Sequence, residues 1–206
     1  LVKKAREKCE ELNILGRILI GQEGINSAFC GLKENIRDFE NFLEEKFGDC
    51  FFKEQEVEKQ VYHKLVVRQR DEIVAFGKKV NLENTGKFLS PERLHKMLEN
   101  EEVIIIDARN SHEAKVGKFK GAITLPIESF RDFPKEIEKL KQLKDKKVIT
   151  YCTGGIRCEK ATAFMKENGF EKVYQLHGGI ISYLKKFPKG FFEGACFVFD
   201  DRQTFN

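Results

Sequence analysis

The second half of the chain alternates short apolar runs with segments of helical spacing, and this alternation restricts the fold more than any other feature. The apolar runs 103–107, 122–125, 148–151 and 172–175 are four or five residues long, and helices are expected near 133–143, 159–168 and 180–187. Strands this short and apolar, joined by helices, pair in parallel and are covered on both faces. The expected architecture is therefore an α/β domain around a parallel sheet. Ser90-Pro91 marks its first helix, with a capping hydroxyl and a proline suited to the first turn, and Leu94, Met97 and Leu98 form the apolar stripe.

The first half has a different rhythm. Residues 1–12 read as a helix with Ala5, Cys9 and Leu12 on one stripe, and 16–20 and 25–30 as strands around a turn bracketed by Gly21 and Gly24. Residues 33–47 form the clearest amphipathic helix, with Ile36, Phe39, Leu43 and Phe47 in register and Gly48 as a stop. Further strands are expected at 50–53, 64–68 and 73–76. This half reads as a small α+β unit over residues 1–80. A polar stretch at 81–89 is expected as a linker, 90–190 as the α/β domain and 191–206 as a phenylalanine-rich C-terminal segment.

Composition narrows the class. Of 206 residues, 41% are apolar and 34% charged, enough apolar mass for a packed core and against disorder. The apolar runs are far shorter than the roughly 20 residues a membrane helix needs, and no basic-then-apolar leader opens the chain. The net charge of +4 permits nucleic-acid binding without demanding it. Residues 1–88 carry 16 basic and 16 acidic side chains, so the excess lies entirely in the remainder. Cysteines at 9, 30, 50, 152, 158 and 196 form no Cys-x-x-Cys pair. A chain with this core needs no disulfide framework, so a reducing, cytoplasmic setting is expected.

The chemistry concentrates at Val148-Ile-Thr-Tyr151-Cys152-Thr153-Gly154-Gly155-Ile156-Arg157-Cys158-Glu159-Lys160. A strand ends at Cys152, two glycines allow a tight curl, and a helix begins near Cys158. Such a loop aims backbone N–H groups and a helix N-terminus at the sulfur, favouring thiolate and making Cys152 a candidate nucleophile. Arg157 braces the loop or adds positive charge. Cys158, six residues on, is either a resolving thiol for an oxidised Cys152 or a small residue packed in the first helical turn. Asp107 and Arg109 are expected as a supporting salt bridge. His63, His95 and His112 are expected at the surface, and His177 in a solvated loop. No metal site is expected, because structural zinc needs four clustered ligands.

The loop Cys152–Arg157 resembles the active-site loop of rhodanese domains, and Asp107-Ala-Arg109, Gly117-Lys-Phe-Lys-Gly121-Ala122-Ile-Thr-Leu-Pro126 and Leu176-His-Gly178-Gly179-Ile180 resemble the family's other segments over about residues 88–190. Lys118 and Thr124 depart from the usual His and Asn. Four residues separate Cys152 from Arg157, as in sulfur-handling rhodaneses, whereas the related phosphatases have a longer loop. Gly16-Arg-Ile-Leu-Ile20, Glu23-Gly-Ile-Asn26, Ser129-Phe-Arg-Asp-Phe-Pro134 and Phe197-Val-Phe-Asp-Asp-Arg202 extend the resemblance to one bacterial family, the rhodanese-containing tRNA uridine-34 hydroxylases.

That resemblance implies a ferredoxin-like N-terminal domain and oxygen-dependent conversion of wobble uridine to 5-hydroxyuridine. It also implies that this chain is a trimmed piece. The implied partner is the tRNA anticodon loop, with neither DNA nor membrane, and the oligomeric state is left open. Molecular oxygen is the implied co-substrate, and no flavin, nicotinamide, haem or non-haem iron motif is recognised. The alternative is a sulfurtransferase carrying a Cys152 persulfide; a third reading is an idle rhodanese module that only binds a partner. Lys64, Arg68 and Arg70 alternate along an expected strand and therefore share a face, which makes them candidate RNA contacts. Phe187, Phe191, Phe192, Phe197 and Phe199 could stack bases, but packing is the expected role.

Overall fold

The computed structural model describes residues 1–205. It divides into two compact units, one of residues 1–74 with 199–202, the other of residues 75–198 with the described residues from 203 on.

In the first unit, helix α1 (Val2–Glu11) leads into the hairpin β1 (Leu15–Gly21) and β2 (Gly24–Cys30), then helix α2 (Lys33–Phe47) and strand β3 (Leu65–Gln69). The sheet order is β2-β1-β3, with β1 antiparallel to β2 and parallel to β3. Strand alternation sends Ile18, Ile20 and Val67 to one face, where Ala5 and Cys9 of α1 and Phe39 and Leu43 of α2 close the core. The helix expected over 33–47 matches α2. Residues 50–53 and 73–76, expected as strands, are irregular. Phe76 is instead a fully buried plug in the second unit, packed against Phe130, Phe133 and Phe164.

The second unit is built on a five-stranded, wholly parallel sheet in the order β4-β9-β8-β5-β7. Its strands are β4 (Lys87–Leu89), β5 (Ile104–Asp107), β7 (Ile123–Thr124), β8 (Lys147–Tyr151) and β9 (Lys172–Leu176). Residues 81–89 therefore hold a 3-10 turn and an edge strand where a linker was expected. Ile105, Ile149, Tyr151 and Leu176 face a core closed by helices α3 (Pro91–Asn100) and α7 (Gly179–Lys186). The opposite face carries α5 (Phe133–Glu138) and α6 (Ile156–Glu167). Ser90 caps α3, its hydroxyl accepting the Arg93 N–H at 3.2 Å. Helix α4 (Ser111–Val116) and strand β6 (Gly117–Phe119) follow β5. The C-terminal segment forms β10 (Phe192–Gly194), which pairs with β6, and β11 (Cys196–Phe197), which pairs with β12 (Thr204–Phe205).

His95, expected at the surface, is half-buried: its ring stacks on Phe187 at 4.0 Å and bonds the Tyr183 hydroxyl at 2.8 Å. No helix among the described residues is long and apolar enough to cross a membrane.

Candidate active site

Strand β8 delivers Cys152 to the C-terminal edge of the parallel sheet, where side chains of several strands converge. The chain curls at once, because Gly155 adopts a left-handed conformation (φ 96°) and starts α6. The curl turns the Gly155 N–H onto the Cys152 sulfur at 3.1 Å. Helix α7 holds the outside of the loop: the N–H groups of Ile180 and Ile181 bond the Cys152 and Thr153 carbonyls at 3.0 and 3.2 Å. The approach is so close that a Cβ on Gly179 would lie 2.5 Å from both carbonyl oxygens.

Burial alone would push the Cys152 thiol up. A hydrogen bond from the Cys158 thiol, the Arg157 charge and the Arg157 and Gly155 backbone N–H groups outweigh it, lowering the pKa from 9.0 to about 5. Cys158, buried on the first turns of α6, moves the opposite way: burial and the neighbouring thiolate hold it well above its ordinary value. Cys196, on β11, is pushed up to about 12, first by burial. Of three sulfurs gathered here, only Cys152 is ionised at neutral pH. It is also 1% exposed, so a substrate ring reaches it only when neighbouring groups move.

Arg157 lies beside the sulfur and against α4. Its two terminal nitrogens grip Glu113 of α4 at 2.6 Å each, and its charge favours the thiolate. Glu113 is fully buried and also accepts the Asn110 N–H at 3.1 Å, while the Thr153 hydroxyl lies 3.4 Å from its other oxygen. Burial raises the Glu113 carboxyl, but the Arg157 contact and charge more than offset it, so the group stays ionised. Glu113 escaped the sequence reading. Its one signal is the spacing Asn110-Ser-His-Glu113, the signature of a helix start with a reciprocal cap. Cys196 had no signal, since β11 reaches the loop only through tertiary pairing.

Asp107 and Arg109 form a fully buried pair at the end of β5. Arg109 Nε and Nη2 donate to the two carboxylate oxygens at 2.9 and 2.7 Å, and Nη2 also donates to the Gly117 carbonyl at 2.6 Å. The Tyr151 hydroxyl donates to Asp107 at 2.7 Å. The pair thus pins the residue preceding Cys152. His177 faces the ring of exposed Phe88 edge-on at 5.5 Å, just before the glycines that clamp the loop. Among the described residues, no group of three or more His, Cys, Asp or Glu side chains could hold a metal ion.

A strand, a tight glycine curl and a helix around one low-pKa cysteine define a rhodanese-type cradle. Residues 90–186 match the rhodanese-like domain, and residues 1–73 match the UPF0176 acylphosphatase-like domain. The tRNA uridine(34) hydroxylase of Legionella pneumophila (strain Paris) is 46% identical over 202 residues, covering 95% of this chain and 80% of that protein. The protein of the same description from Cytophaga hutchinsonii is 46% identical over 199 residues, and that from Enterococcus faecalis 43% over 203, this chain spanning 64% of each. The chain belongs to the tRNA uridine(34) hydroxylase family.

Proposed function

We propose that this protein hydroxylates uridine 34 of tRNA at C5, giving 5-hydroxyuridine with molecular oxygen as co-substrate and Cys152 as the nucleophile. The observation that carries the reading is the Cys152 sulfur seated in a glycine curl, accepting the Gly155 N–H at 3.1 Å with its pKa lowered, in a chain of this family. Uracil C5 is too electron-poor to meet oxygen unaided. Addition of the Cys152 sulfur to C6 creates an enolate and makes C5 electron-rich toward oxygen; one oxygen atom bonds to C5, the other leaves as water with two electrons and two protons from an external thiol reductant oxidised to its disulfide, and loss of the C5 proton with departure of the sulfur restores the aromatic ring. The Gly155 and Arg157 N–H groups that favour the thiolate also favour its return as a leaving group. Cys158 keeps its proton and lends it as a hydrogen bond, which also suits it to resolve an oxidised Cys152.

Nucleoside mass spectrometry of tRNA from cells whose only copy carries Cys152→Ala tests this: 5-hydroxyuridine is expected to vanish, and a normal level would refute the role of Cys152. The rhodanese-type cradle supports one second reading, a sulfurtransferase with a Cys152 persulfide. Transfer of sulfur from thiosulfate to cyanide by the purified protein, with tRNA modification unaffected by its loss, would favour it.

A further inference from the structure

We infer that the open face of the β2-β1-β3 sheet is a second RNA-binding site, separate from the Cys152 loop, that holds the phosphodiester backbone of the tRNA. Arg17, Lys64, Arg68 and Arg70 surround a cleft of about 320 Å³ whose apolar surface is Leu19 and Val66. The strand geometry explains the cluster. Residues 64, 66, 68 and 70 fall on one side of β3 by alternation, at intervals of about 6.6 Å. The parallel register sets Arg17 of β1 opposite Val66 and Leu19 opposite Arg68, so the β1 side chains join the same row. All four cations are exposed, and among the described residues none forms an ion pair with a carboxylate.

Elsewhere on this unit several cations do meet carboxylates, such as Lys3 with Glu7, Arg6 with Glu10 and Lys33 with Glu56. Four uncompensated cations on one sheet face raise the local potential and repel one another unless an anion sits among them. A polyanion with regularly spaced charge suits a row of this kind, with half-buried Val66 and buried Leu19 as the apolar floor between the cations. The choice of tRNA as occupant rests on the activity proposed above. Such contacts position the nucleic acid without reading its sequence.

The test is equilibrium binding of unmodified tRNA over a salt series, using the full chain. Arg17→Gln with Arg68→Gln is expected to weaken binding on the order of tenfold and to lower the slope of log affinity against log salt by about 1.5. Arg17→Lys with Arg68→Lys keeps both charges and is expected to keep the slope, which separates lost charge from lost structure. The matched neutralisation Lys141→Gln with Lys146→Gln, in the other unit, is expected to change neither quantity. Equal affinity and slope for the Arg→Gln pair and wild type would overturn the inference. Cys152→Ala is expected to bind tRNA as wild type does. Should 5-hydroxyuridine persist in Cys152→Ala cells while the Arg→Gln pair still loses affinity, the catalytic proposal fails and the cleft stands.

Discussion

Cys152, Cys158 and Cys196 are three buried cysteines of one fold, and their surroundings give them different chemistry. At Cys152 the hydrogen bonds and the Arg157 guanidinium outweigh burial, whereas at Cys158 and Cys196 burial, with the neighbouring thiolate, outweighs the groups that would lower them. A pH titration of thiolate ultraviolet absorbance should therefore show one group with a midpoint near 5. Cys158→Ala removes the donor and is expected to move that midpoint upward; an unmoved midpoint would refute the hydrogen bond. The folded value lies below the unfolded one, so the ionised sulfur adds stability that is complete above the unfolded pKa near 9.0 and disappears as pH falls to about 5. The stability difference between wild type and Cys152→Ala should shrink across that window, as read by denaturant unfolding. Glu113→Gln leaves the Arg157 guanidinium without its buried anion and is expected to cost about 3 kcal/mol in the same measurement.

At the scale of elements, α7 and the catalytic curl are built as one piece. Gly179 combines a left-handed backbone (φ 65°) with backbone oxygens 2.5 Å from any added Cβ, and those oxygens belong to Cys152 and Thr153. Gly155 has a left-handed φ of 96° but nothing closer than 3.4 Å. Gly179→Ala is therefore expected to cost about 3 kcal/mol and to disturb the loop, against about 1 kcal/mol for Gly155→Ala. Similar losses for the two by thermal unfolding would contradict this packing. The elements most visible in the sequence were those with local signals: α2 by its apolar stripe and Gly48, α3 by Ser90-Pro91, β8 by its apolar run into Cys152-Thr-Gly-Gly. Helix α4 stayed hidden because it is six residues long and its apolar stripe is too short to show a period. Residues 73–76 looked like a strand because Phe76 is apolar, yet that ring fills a gap among other rings, a contact no periodicity reports.

Across the whole molecule, bulk charge hid what local placement reveals. Residues 1–88 balance 16 basic against 16 acidic side chains, yet their sheet collects four cations around one cleft. Strand alternation made Lys64, Arg68 and Arg70 legible as one face. Arg17 was not, because the register between β1 and β3 is a long-range pairing. The cradle was readable nearly entire from Cys152 to Arg157, while its buried counter-charge, Glu113, lies 44 residues from Arg157 and depends on the fold to arrive. The decisive measurement is nucleoside mass spectrometry of tRNA from a deletion strain complemented with wild type or Cys152→Ala, grown with and without oxygen. Wild type should restore 5-hydroxyuridine only in the presence of oxygen and Cys152→Ala in neither case; restoration by Cys152→Ala, or by wild type in the absence of oxygen, would contradict the proposed chemistry.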